Sequence, residues 1–207
     1  SVNHRLNVLG YLDLSPFGEK YQDSANAGNL DLIAALEWIR DNIEGFGGDP
    51  ENVTLFGQSG GGVKVWSLLQ MPEADGLFHK GIIESGVVDP DLLGDTEDGN
   101  GREVVKAMLA ELGLEEKDVD QLETLPYDQL AQAYENAAPK VAQKGEYVGN
   151  HPHKNQSYFG DAIKHGFREE TKKIPLLIGT VLGEFDFGPA ISGKYEFTKK
   201  EVEEKVS

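Results

Sequence analysis

The run Gly57-Gln58-Ser59-Gly60-Gly61 stands between a short apolar stretch, Val53-Thr54-Leu55-Phe56, and a helix-like stretch over 62–70. In that setting a G-x-S-x-G sequence puts its serine on a sharp strand-to-helix turn, with glycines where neighbouring backbone must pass close by. Such a turn exposes the serine hydroxyl above a sheet. It also sets the N–H of the next residue, Gly60, at a helix N-terminus, where it can stabilise a developing negative charge. A glycine-rich serine loop can instead be an ordinary tight turn or a phosphate cradle. The strand before, the helix after and the absence of a lysine directly following the glycines favour the nucleophile-bearing turn.

The flanking pattern extends this reading to a fold class. Leu32, Ala35, Leu36, Ile39 and Ile43 recur at three- and four-residue intervals and predict an amphipathic helix. Val53 to Phe56 and Ile82 to Ile83 are short apolar runs bounded by glycine or Asp-Pro, as in parallel strands covered by helices on both faces. Strand, helix, strand, helix, strand is an α/β arrangement with a mostly parallel sheet, whose active loops sit at the carboxyl ends of the strands.

The longer run from Phe46-Gly47-Gly48-Asp49-Pro50-Glu51-Asn52 through the elbow to Gly62 resembles the type-B carboxylesterases, the α/β-hydrolase group that includes the cholinesterases. Further matches keep the same order: Asn3-His4-Arg5 with Gly10-Tyr11-Leu12, Asn26-Ala27-Gly28-Asn29-Leu30-Asp31, and Leu77-Phe78-His79-Lys80-Gly81-Ile82-Ile83-Glu84-Ser85-Gly86. They cover residues 1–88 almost continuously. The resemblance implies an α/β-hydrolase fold, with a central mostly parallel sheet flanked by helices and incomplete at both ends. It also implies a strand at the very start of the chain.

Composition narrows the partners. The net charge of −17 argues against nucleic acid or an anionic membrane surface, because phosphate binding needs clustered Lys and Arg. Between Asp89 and Glu123 there are twelve acidic residues against three basic, the mark of a solvated surface. No stretch is long and apolar enough to span a bilayer. The chain has no cysteine, so it neither demands an oxidising compartment nor rules one out, and localisation and oligomeric state stay open.

The chain reads as part of a single α/β-hydrolase domain: a sheet core with the elbow over 1–88, mainly helical loops and pocket wall over 89–172, a strand and acid loop over 173–192, and the start of a further helical segment over 193–207. Within the middle region a loop is expected over 95–102 and short helices over 103–112, 115–122 and 127–138, with Gly113 and Pro126 as breaks. The chain opens on Ser1 and closes on Ser207 inside apparent elements, and is expected to be a piece of a longer protein.

A serine near neutral pH needs a histidine base, and the histidine needs a carboxylate to hold its tautomer. Lys173-Ile174-Pro175-Leu176-Leu177-Ile178-Gly179-Thr180-Val181 reads as a later strand, and Glu184 sits just past its end, 125 residues after Ser59. The spacing resembles that of the family's serine and glutamate. Glu184 is therefore the candidate acid, with Asp186 an alternative, because Gly183 and Phe185 depart from the family's usual neighbours. Chain order in this fold is serine, acid, histidine, yet His4, His79, His151, His153 and His165 all precede Glu184. His4 and His79 read as structural. His151 and His153 read as a loop pair, since two histidines leave a zinc site short of ligands. The triad histidine and the glycine-rich oxyanion loop are both expected outside the chain.

The resemblance assigns three supporting residues. Arg5 and Asp31 match a structural salt bridge, and Ser85 matches a serine beside the triad carboxylate and histidine. Gln58 stands where cholinesterases carry a glutamate, which weighs against a cationic choline ester. The sequence thus points to a serine esterase acting on small-molecule carboxylic esters, with Ser59 as nucleophile, Glu184 as acid and Gly60 as oxyanion donor. No cofactor or metal is implied. The alternatives are a catalytically silent binding module of the same fold and an inactive isolated fragment.

Overall fold

A computed structural model describes residues 1–89, 99–149, 151–184 and 198–200. The sheet has three parallel strands, β1 (Thr54–Gln58), β2 (Lys80–Glu84) and β3 (Leu176–Gly179), in that spatial order. Helix α1 (Asn7–Tyr11) and helix α2 (Ala27–Asn42) precede β1, and helix α3 (Gly60–Leu68) joins β1 to β2 as a βαβ crossover. Helices α4 (Arg102–Glu111), α5 (Tyr127–Ala142) and α6 (Ala162–His165) lie between β2 and β3, with a 3-10 helix over Glu116–Glu123.

Side chains alternate across a strand, and the register places Leu55, Gly81 and Leu176 on one face with Gly57, Ile83 and Ile178. That face receives α3. A Cβ on Gly81 would meet Val65 at 3.3 Å, and a Cβ on Gly62 would meet Ile83 at 3.2 Å. Ile33 and Leu36 of α2 close over Val65, Trp66, Leu69 and Met71 to form the core beneath the elbow. Each such fully buried side chain contributes about 1.5–3 kcal/mol. A second core joins α4, α5 and the 3-10 helix to Val8, Leu12 and Leu14.

The structure departs from the sequence expectations in several places. Helices on both faces were expected, but among the described residues α3 covers one face only. On the other, Phe56 is 77% exposed and Leu177 66%. The opening residues form no strand, because their backbone groups are used locally. Asp31 takes the Arg5 N–H, and the Leu6 carbonyl accepts from Leu9 and Gly10 to start α1. Helix α5 runs past the expected end at Ala138 with Pro139 inside it. An interior proline costs about 3 kcal/mol, and burial of Ala137 and Val141 on either side offsets it. The helix expected over 193–207 falls, apart from residues 198–200, outside the described residues, as does Asp186.

Candidate active site

The last ladder pairs of the sheet bring the candidate residues to one edge. Gln58 pairs with Glu84, and Glu84 with Gly179, so the next residues along the three strands are Ser59, Ser85 and Thr180. Neighbouring strands lie about 4.8 Å apart. β1 and β3 are therefore separated by roughly 10 Å, with β2 between them.

Ser59 is exposed and has φ +51° and ψ −122°, backbone values that a residue with a Cβ rarely adopts. Its N–H donates to the Glu84 carbonyl at 2.8 Å, and its carbonyl accepts from Val63 at 2.9 Å. That bond is the first of α3, so the N–H groups of Gly60, Gly61 and Gly62 have no intrahelical acceptor. The tightness of the turn explains its glycines. A Cβ on Gly57 would lie 2.3 Å from the carbonyl of Gly61, and one on Gly86 would lie 2.5 Å from Cα of Gly62. Gly60 and Gly61 are different, because a Cβ on either meets nothing within 4 Å.

Glu184 lies in the turn after β3. Its Oε1 accepts from the Val181 N–H at 2.9 Å. The Ser85 hydroxyl donates to the same carboxylate, and these two bonds, the Ser85 one foremost, hold the acid below the usual carboxylate range. Ser85 has φ +50°, and its N–H is fixed by the Gly179 carbonyl at 2.7 Å. A cavity of about 520 Å³ opens here, lined by Gln58, Glu84, Ser85, Gly179, Thr180, Val181, Gly183 and Glu184. Helices α4 and α5, expected as pocket wall, contribute nothing to this lining and pack instead in the second core.

The five histidines lie elsewhere. His79 accepts from the Val53 N–H at 3.2 Å and donates its own N–H back to Val53, clamping the start of β1 to β2. His151 and His153 pack against Tyr147, and His165 lies 3.4 Å from the Lys154 amine. Among the described residues no three His, Asp or Glu side chains gather closely enough to hold a metal. No described helix is long and apolar enough to cross a membrane.

Arg5 and Asp31 meet in a bidentate pair, Nη2 to Oδ1 at 2.6 Å and Nε to Oδ2 at 2.9 Å, while the Arg5 N–H adds a third bond at 2.8 Å. The guanidinium holds the Asp31 carboxyl below its ordinary value. The pair fixes the chain before α1 to α2, and its side chains stay partly open to solvent. The sequence reading did not single out Val181, Gly62 or Gly86. A glycine directly after a strand-end serine was the available signal for Gly86.

The carboxylesterase family profile matches residues 1–207. The chain belongs to the carboxylesterase family. The para-nitrobenzyl esterase of Bacillus subtilis is 38% identical over 194 residues, covering 89% of this chain and 36% of that protein. The human cocaine esterase is 48% identical over 86 residues, 42% of this chain and 15% of its own. Among solved structures, an esterase from anaerobic Clostridium hathewayi, described as able to hydrolyze aliphatic aromatic polyesters, superposes with a TM-score of 0.85. It shares 52% identity over 99% of this chain and 40% of its own. This carboxylesterase chain therefore has the α/β-hydrolase fold and spans well under half the length of the relatives it matches.

Proposed function

We propose that this chain is the nucleophile- and acid-bearing part of a single α/β-hydrolase domain that hydrolyses small carboxylic esters through an acyl-serine intermediate. The observation that carries the reading is the exposed hydroxyl of Ser59 on a turn with φ +51°, at the head of a helix with unbonded N–H groups. Strain of that kind costs about 1–3 kcal/mol and persists where function uses it. An intact Ser59 on an intact elbow argues against a catalytically silent module.

In the proposed reaction Ser59 Oγ attacks the ester carbonyl, and the Gly60 N–H receives the developing oxyanion. Glu184 stays ionised and orients a histidine that enters the cavity from outside these 207 residues. An imidazole with hydrogen bonds of about 2.8 Å at both nitrogens bridges most of the roughly 10 Å between β1 and β3. Ser85 holds the acid in place. A second set of oxyanion donors also comes from outside the chain. The charged side chains lining the cavity are both carboxylates, Glu84 and Glu184, which favours neutral esters over anionic ones. The 52% identity to the esterase described as hydrolysing aliphatic aromatic polyesters extends the candidates to esters of that kind.

The test is hydrolysis of a p-nitrophenyl ester by the full-length polypeptide containing this chain. Ser59→Ala should lower kcat by at least 10³-fold with the fold intact. Turnover by folded Ser59→Ala near the parental rate would exclude the serine mechanism.

A further inference from the structure

Helix α3 carries a single charged side chain, Lys64. Its Nζ lies 4.2 Å from the centroid of the Tyr11 ring, and among the described residues no carboxylate pairs with it. That is unusual in a chain with 36 acidic residues. The ring is held in place by a closed circuit: the Tyr11 hydroxyl donates to Asn29 at 3.0 Å, Asn29 to Ser67 at 2.9 Å, and Ser67 to the Lys64 carbonyl at 3.0 Å. Tyr11 itself is 2% exposed.

Gly60 and Lys64 stand four residues apart and share one face of α3. Helical side chains lean toward the N-terminus, over the preceding turn. The space above Gly60 is open, and the four-residue spacing sets the Lys64 Cβ one helical turn on, about 5–6 Å from the position a Gly60 Cβ would take. A cation near a helix N-terminus opposes the helix dipole, and burial already pushes the Lys64 ammonium down to about 8. Both effects work against keeping a charge there.

We infer that the Lys64 ammonium, seated on the Tyr11 ring, raises the positive potential at Gly60 and so stabilises the oxyanion formed on ester attack. Lys64 is a positioning residue, acting through the field at the elbow without touching substrate. The inference rests on the serine-esterase reading above. The other titratable or charged groups on the elements around α3 include Tyr11 on α1, His4 and Arg5 before α1, Asp31 on α2, Glu84 at the end of β2, and Asp161, which accepts from the Trp66 indole. Arg5 occupies Asp31, and none of these carboxylates is bonded to Lys64 among the described contacts.

The experiment compares Lys64→Met, Lys64→Gln and Lys64→Arg in the full-length protein, with thermal melting as the control for folding. Lys64→Met and Lys64→Gln should lower kcat about tenfold with KM within twofold. Each should weaken a trifluoromethyl ketone transition-state analogue by the same factor. Lys64→Arg should keep kcat and carry activity past the pH near 8 where the parent declines. Folded Lys64→Met or Lys64→Gln with parental kcat and analogue affinity would overturn the inference, as would Lys64→Arg with an unchanged alkaline limb. An active Ser59→Ala would remove the esterase reading itself; an inert Ser59→Ala beside parental Lys64→Met removes this inference alone.

Discussion

The Ser85 hydroxyl donates to the Glu184 carboxylate across the ends of β2 and β3, from a backbone position with φ +50°. The strain at Ser85 is balanced by its N–H bond to Gly179, which locks the donor toward the acid. Two strained serines on adjacent strands, one the proposed nucleophile and one the support of the proposed acid, thus share one sheet edge.

Removing that support should act through the acid. Ser85→Ala is expected to lower kcat about tenfold with little change in KM, since it removes a hydrogen bond to the ionised carboxylate. Glu184→Gln removes the charge itself and should cost about 10³–10⁴-fold in kcat. Steady-state kinetics on folded variants of the full-length protein check both.

The pH dependence follows in sign from the lowered Glu184 value. A carboxyl depressed in the folded state contributes stability that is present above its unfolded value and lost as pH falls through the folded one. Loss of activity near pH 6 should therefore follow the histidine, with Glu184 still ionised. A pH–rate profile should show an acid limb near 6 and none from Glu184 until lower pH. Ser85→Ala brings the second limb upward.

The elbow glycines should separate sharply. Gly57→Ala sets a Cβ 2.3 Å from the backbone of Gly61 and Gly86→Ala sets one 2.5 Å from Gly62, so each should destabilise by about 3 kcal/mol or more. Gly60→Ala meets open space and should fold and turn over within a few-fold of the parent. Denaturant midpoints and ester turnover of the three variants test the contrast.

Much of this site was legible because its physics is local. Gly57 marks a turn where backbone passes too close for a Cβ, and Val53 to Phe56 announces the strand beneath it. The ladder carries Ser59 and Ser85 to one edge once β1 and β2 are recognised. Long-range packing was not legible in this way. The buried positions of α2 include Asn29 and Ile33, which the apolar pattern Leu32, Ala35, Leu36, Ile39 and Ile43 does not mark. Asn29 is buried because Tyr11 and Ser67 satisfy its amide. Helix α5 outruns Pro139 because its neighbours are sealed into a core whose other half lies over residues 8–14.

The Arg5–Asp31 pair is partly exposed, which limits its worth. Arg5→Ala or Asp31→Ala should cost about 1 kcal/mol, with the loss full above the unfolded value of Asp31 and fading as pH falls through its lowered folded value. A double-mutant cycle read by denaturant unfolding at pH 7 and again near pH 3 should show the coupling at the first pH and its decline at the second.

The central claim is tested most directly by covalent capture. Treating the full-length protein with a fluorophosphonate and mapping the adduct by mass spectrometry should place one phosphonyl group on the peptide bearing Ser59, with activity lost in step. An adduct on another residue, or equal labelling of folded Ser59→Ala, would contradict the account.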